Sequence, residues 1–247
     1  MRPRVVDLRV DELDWEPLGP PGLYSRLLSR DEETGARTAL QRMVPADGYT
    51  APDTAHYHHT YEELLGVSGR FSFDGRNWVE AGAYLFHPPR TVHGFASTVP
   101  EESTFLSRVG RQLDFNFVPE PAQDDLYLAE GSLPPRAPVA LEKDAALDGF
   151  APSRFLGADV EARVLSVDPE TGEGSAFVRL QAGWQSMTAA LPHYLEIFAI
   201  SGAIGVDGGA AAPGRAYFFY PAQDRINTLE AAEPTLAYVN FGGPVGL

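Results

Sequence analysis

The stretch EELLGVSGRFSFDG, Glu62 to Gly75, decides the fold. Its apolar and aromatic residues, broken at Ser68-Gly69 and closed at Asp74-Gly75, read as extended chain punctuated by tight turns. The pattern recurs as LEIFAISGAIGVDG, Leu195 to Gly208, with Ser201-Gly202 and Asp207-Gly208 at the matching places. Outward from these anchors the matches keep their order. Ser25-Arg26-Leu27-Leu28-Ser29, then Glu33-Thr34-Gly35, corresponds to Ala162-Arg163-Val164-Leu165-Ser166, then Glu170-Thr171-Gly172. Ala39 to Met43 corresponds to Ala176 to Leu180, Gly82 and Pro89 to Gly214 and Pro221, and Asn116-Phe117 to Asn240-Phe241. Matches in one order along both halves are the mark of a duplication. The expected organisation is one β domain over 1–118, its copy over 153–247, and a connector over 119–152 that carries Pro119, Pro121, Pro134, Pro135, Pro138 and Pro152.

The rest of the chain agrees with an all-β class. Twenty-four Gly and 21 Pro separate short runs rich in Val, Leu, Phe and Tyr, and only Asp11–Glu16 and Ala145–Gly149 offer a helical turn. At 247 residues and 44% hydrophobic, the chain is long enough for two small domains with real cores. No run approaches the roughly 18 apolar residues of a membrane span, and Met1 to Val10 lacks a signal-peptide core, so a soluble, cytoplasmic protein is expected. The absence of cysteine excludes disulfides, thiolate metal sites and cysteine nucleophiles. Any metal must sit on His and carboxylate. With 19 basic residues against 34 acidic ones, a net charge of −15 is a poor match to a phosphate backbone, and no nucleic-acid partner is expected. Lys143, the single lysine, leaves little room for Schiff-base or P-loop chemistry.

The histidines are not dispersed. His56, His58, His59, His87 and His93 lie in the first copy, and only His193 lies in the second. In extended chain residues i and i+2 point to the same side, so His56 and His58 can present two imidazoles to one point. Glu62 follows after three residues and Gly69 after six more; Gly82, Pro88 and His93 then bring a third imidazole behind a turn.

These two runs resemble the motifs of the cupin superfamily: HxH, three or four residues, E, six residues, G, and then G, five residues, P, four residues, H. The phrases HTYEELLGVSG and FHPPRTVHGF are similar to cupins related to acetylacetone dioxygenase and to the metal-binding domain of ChrR-type regulators. The resemblance implies two tandem cupin domains, each a jelly-roll β-barrel, with a metal on His56, His58, Glu62 and His93 of the first. Three departures stand out: seven residues instead of five separate Gly48 from His56, Arg90 stands where the second motif often has Gly, and Ser97 replaces its closing Asn. None removes a ligand.

Glu62 and Glu63 are adjacent and must face opposite sides of a strand, so only one can bind. Counting to Gly69 favours Glu62, while the repeat sets Glu63 opposite Glu196 and Glu62 opposite Leu195. We take Glu62, because what a copy without ligands retains is structural; Glu63 is then left to pair with an arginine on the outer face. The second copy is four residues shorter where His56 to His59 would lie, and Arg225 replaces His93, so it is read as a degenerate cupin without metal ligands. His59 is taken as a surface residue; His87 is open between a place near the metal, a lid and plain packing. Leu40, Leu64, Phe71, Phe73, Tyr84 and Phe86 are expected to line the pocket.

Three imidazoles and a carboxylate suit one divalent transition metal, Fe(II) by preference, with Mn, Ni, Cu or Zn as alternatives. Four protein ligands leave open positions for a chelating substrate and O2. The expected function is a metal-dependent cupin dioxygenase acting on a small chelating, enolisable or phenolic organic substrate. A non-oxidative isomerase, cyclase or lyase and a non-catalytic small-molecule-binding bicupin remain as alternatives. A monomer or homodimer is expected.

Overall fold

Two antiparallel seven-stranded sheets, built in the same order from different segments, realise the duplication seen in the sequence. The computed structural model describes residues 1–209 and 214–247. Within the histidine-bearing unit, Asp14–Ala146, the order is Val139–Leu141, Tyr84–His87, Glu62–Ser68, Ser103–Val109, Arg37–Met43, Leu23–Arg30 and Glu16–Pro17. In the second unit, Met1–Leu13 with Leu147–Leu247, the order is Val5–Arg9, Ala216–Tyr220, Leu195–Ser201, Thr235–Phe241, Gly174–Leu180, Ala158–Val167 and Ala151–Phe155. The inner strands follow the order of the sequence repeat, with one correction: Asn240-Phe241 stand where Arg108-Val109 do, and not where Asn116-Phe117 do, which pair with His56–Tyr57 in a separate ribbon.

One correspondence was invisible in the repeat and moves the expected boundaries. Val5–Arg9 pairs with Ala216–Tyr220, so the first residues of the chain belong to the second unit and not to a domain 1–118. The equivalent edge in the histidine-bearing unit is filled by Val139–Leu141 against Tyr84–His87, a strand from the stretch read as a connector. Tyr127–Leu128 from the same stretch pairs with Thr91–Val92, and Ala151–Phe155 joins the second sheet. The physical reason is common to both edges. Tyr84–His87 and Ala216–Tyr220 are buried along their whole length, and an unpaired backbone edge there would leave donors and acceptors without partners.

The barrel expectation is corrected in one respect. Each main sheet has two ends in its hydrogen-bonding order and is accompanied by two-stranded ribbons, so no closed barrel forms among the described residues. Helix among them is confined to the short segment Lys143–Leu147 and the 3-10 turns Val10–Glu12 and Pro45–Asp47. No described helix is long and apolar enough to cross a membrane.

Strand alternation sorts the residues by face. In the histidine-bearing unit Arg37 opposes Val109, Val109 opposes Glu62, and Glu62 opposes His87, forming one transverse row on one face. Met43, Leu64, Phe71, Val79, Leu85 and Phe105 pack as a cluster on that side of the molecule. On the other face the row is Thr38, Arg108, Glu63 and Phe86. The corresponding first row of the second unit is Gly174, Phe241, Leu195 and Tyr220, and the last three belong to its apolar core. The same architecture therefore closes over hydrocarbon in one unit and over a charged row in the other.

Candidate metal centre and pocket

His56 and His93 come from separate motifs and are joined by reciprocal backbone hydrogen bonds: the His56 amide donates to the His93 carbonyl at 2.9 Å, and the His93 amide donates back to His56 at 3.0 Å. The pairing fixes two imidazoles side by side before any side-chain interaction is counted. It also explains Gly94, which adopts φ +82° and whose added Cβ would lie 2.7 Å from His56 Cε1. The Arg90 amide donates to the His58 carbonyl at 2.7 Å, and Arg90 holds φ 69°. That left-handed conformation accounts for the glycine often found at this place in the resembling motif.

The three imidazoles converge. His56, His58 and His93 are buried, with ring centroids 4.6 to 5.2 Å apart, and each offers a ring nitrogen within 4.8 Å of the others', a cluster able to hold a metal ion. Their other nitrogens are committed to the backbone. His56 Nδ1 donates to the Thr54 carbonyl at 3.0 Å, His93 Nδ1 to the Thr91 carbonyl at 2.9 Å, and His58 Nδ1 to the Asp114 carbonyl. A carbonyl can only accept, so each Nδ1 carries a proton, and in a neutral ring that leaves the lone pair on Nε2. Burial works in the same direction. It lowers the His56 pKa, and together with the neighbouring His56 and His58 it pulls His93 down to about 3, so both rings are neutral at neutral pH.

Glu62 completes the picture. Its Oε2 lies 3.4 Å from His93 Nε2, and no hydrogen bond satisfies it although the atom is buried. With His93 neutral and protonated on Nδ1, this contact is no ion pair. A carboxylate oxygen faces a nitrogen lone pair, an arrangement that a cation would relieve, and the donor set therefore fits a divalent metal. Glu62, His87 and His93 form a second group of convergent ligand atoms. His87 is buried with neither ring nitrogen bonded, and burial, then the nearby His93, bring its pKa down to about 3. The structure thus places His87 beside the cluster, opposite Glu62 on the neighbouring strand.

Glu63 points the other way. It accepts from Tyr84 Oη at 2.6 Å, Arg136 at 2.7 Å and Arg108 at 3.1 Å, and it is 1% exposed. The expected arginine pairing is present, though buried instead of on the outside. Glu196, its repeat partner, accepts from Tyr217 Oη at 2.6 Å and Arg2 at 2.8 Å. The repeat thus relates two structural carboxylates. His59 is exposed and bonded through Nδ1 to Asp114 at 2.5 Å. In the second unit, Arg225 is exposed and His193 half-buried.

A cavity of about 460 Å³ opens beside the cluster, and its walls include His56, His58, Glu62 and His93. Of the six residues expected to line it only Phe73 does; Leu23, Tyr49, Leu113 and Phe115 supply other walls. Leu40, Tyr84 and Phe86 lie on the Glu63 face of the sheet, while Leu64 and Phe71 are packed in the core. Sequence reasoning missed Arg37, Gln41, Tyr49, Asp114 and Phe115. Their approach to the histidines depends on sheet pairing across long sequence separations, although the i+2 spacing along 37–43 carried the face of the first two.

Comparisons with known proteins agree with this architecture. Residues 4–113 match the family described as the ChrR cupin-like domain. Among curated proteins, none matches the sequence. Among solved structures, a candidate dioxygenase from Nostoc punctiforme superposes with a TM-score of 0.68 at 15% identity, covering 98% of this chain and 79% of that one. Salicylate 1,2-dioxygenase from Pseudaminobacter salicylatoxidans superposes with a TM-score of 0.61 at 16% identity, covering 88% and 76%. A single-residue variant of that enzyme in complex with gentisate gives 0.57 at 17% identity, covering 85% and 69%. Residues 4–113 thus resemble the ChrR cupin-like domain, and the chain as a whole shares its fold with these dioxygenase structures.

Proposed function

We propose that His56, His58, His93 and Glu62 hold one divalent transition metal, Fe(II) by preference, and that the protein is a dioxygenase acting on a small chelating, enolisable or phenolic substrate. The observation that carries this reading is the unsatisfied, buried Glu62 Oε2 facing the lone pair of His93 Nε2. The dioxygenases among the structural neighbours support the reaction class. When bound, the metal supplies Lewis acidity toward the substrate's oxygens and a redox-active centre for O2.

The chain's own residues do the rest. The carbonyls of Thr54, Thr91 and Asp114 hold the three imidazoles in one tautomer and one orientation. Phe73 and Phe115 form apolar walls of the cavity, against which the carbon skeleton of a small organic substrate can pack. Glu62 gives the anionic charge that retains a dication.

The test is metal analysis of protein purified without a polyhistidine tag, followed by an O2-uptake screen with β-diketones and hydroxylated aromatic acids. About one metal ion per chain and O2-dependent consumption of a chelating substrate are expected, and His93→Ala should lose most of the metal. Unchanged metal content in that variant overturns the site; substrate consumption at an equal rate without O2 overturns the dioxygenase.

A further inference from the structure

We infer that the substrate carries a carboxylate and that Arg37 receives it, with the Gln41 amide as a second contact. This deepens the reading of the pocket given above and rests on it. Arg37 and Gln41 both line the cavity that holds the histidines, and both belong to the Arg37–Met43 strand on the face shared with Glu62.

Arg37 is half-buried, yet among the described residues its guanidinium makes no ion pair or hydrogen bond. In a chain with 34 acidic residues, a charged group in a cavity without one of them as partner leaves fixed, oriented donors for an incoming anion. Burial lowers its pKa from the ordinary arginine value while Glu62, nearby but not paired, opposes that shift. Such a group is partly stripped of water and uncompensated, and a bound carboxylate would remedy both. Gln41 is 9% exposed, and its side-chain amide likewise has no hydrogen-bond partner among the described residues.

Position supplies the second argument. Arg37 and Glu62 sit in one transverse row with Val109 between them, so their backbones lie two strand spacings, roughly 10 Å, apart. Both side chains enter the same cavity from that row, and a small planar acid spans the interval between an arginine at one end and the ligand cluster at the other. Phe73 and Phe115 flank the space with apolar faces.

The duplicated unit acts as an internal control. Arg42 and Arg179, Glu63 and Glu196, and Tyr84 and Tyr217 are retained as pairs on the opposite face. On the cavity face, the copy without the histidines has Gly174 where Arg37 stands and Val178 where Gln41 stands. Arg37 and Gln41 thus disappear together with the ligands, as residues serving the site would, and not with the sheet's framework.

The experiment measures dissociation constants for 2-hydroxybenzoate and its neutral analogue 2-hydroxyacetophenone in the Zn(II)-loaded and metal-free wild-type protein, Arg37→Met and Arg37→Lys. Comparing the acid-to-ketone preference between proteins cancels any part of it that comes from chelation. The preference for the acid is expected to fall about tenfold or more in Arg37→Met. Arg37→Lys should keep part of the preference, and metal content should be unchanged in both variants. Equal preference in wild type and Arg37→Met, an equal loss for acid and ketone, or no binding of either probe overturns the inference. An Arg37-dependent preference without O2 uptake by any probe leaves this inference standing and removes the dioxygenase; O2 uptake with a ketone favoured regardless of Arg37 does the reverse.

Discussion

Replacing Glu63 and Glu62 in turn by glutamine should produce opposite phenotypes from adjacent residues. Glu63 is 1% exposed, and Arg108 and Arg136 beside it are 3% and 6% exposed. Its carboxylate receives both guanidinium groups and the Tyr84 hydroxyl. Removing that charge leaves two buried cations facing an amide whose NH2 half can only donate. Breaking a buried pair in this way costs about 3–5 kcal/mol, which for a chain of this size lowers Tm by roughly 6–20 °C. Glu62 Oε2 has no partner to lose, so Glu62→Gln should leave metal-free stability within about 0.5 kcal/mol and instead weaken metal retention. The assay is thermal and urea unfolding of metal-free protein, read beside metal content after equilibration with limiting Fe(II) or Zn(II). Glu63→Gln should unfold early yet bind metal when folded; Glu62→Gln should unfold normally and bind poorly. A reversed pattern would refute the assignment of the two carboxylates to opposite faces.

The N-terminal segment is expected to stabilise the second unit: Arg2→Ala removes the contacts to Glu196 and Tyr217 and the stacking over Phe219, and hydrogen exchange should quicken in Leu195–Ser201 and Ala216–Tyr220 before it changes in Glu62–Ser68. Gly94→Ala should push on the His56 ring and weaken metal affinity about 10- to 100-fold, the usual range for disturbed ligand supports; a titration showing wild-type affinity would contradict the packing at φ +82°. The Asp114 carboxyl is held below its ordinary pKa, first by the His59 amide, then by the His59 ring and Asn116. Its stabilisation is therefore full above the unfolded value near 4 and is lost as pH falls through the lower folded value. Asp114→Asn should flatten acid unfolding in that window, and an unaltered profile would remove Asp114 from the account.

The fold was legible because duplication repeats every turn signal, and because tight turns have strong local chemistry: Ser68-Gly69 and Asp74-Gly75 recur as Ser201-Gly202 and Asp207-Gly208. Spacing put His56 and His58 on one side of an extended segment, and the likeness of both runs to the cupin motifs added His93 to them. The edge strands were not legible. Val5–Arg9 and Val139–Leu141 occupy equivalent places, yet one lies at the chain start and the other after a proline-rich stretch, so no local signal announces their partners. The cavity walls were misread for a related reason. Leu40, Tyr84 and Phe86 are apolar like Phe73, and apolarity alone does not say which face of a two-sided sheet a residue joins.

The two ways of choosing between Glu62 and Glu63 conflicted only because each was reporting on a different face. Counting to Gly69 locates the residue that shares a row with Arg37 and His87; the repeat locates the one whose tyrosine and arginine partners both units keep. A sheet with period-two side chains can hold its framework on one face and its chemistry on the other, so a copy can lose the second without disturbing the first. The loss is then hard to reverse. Leu195→Glu alone would restore the carboxylate at the right register but press it against Phe241 and Tyr220 in an apolar core, where an unpaired charge is expensive. Arg37, Glu62 and His87 define an open polar row only as a set, and the second unit has replaced all three.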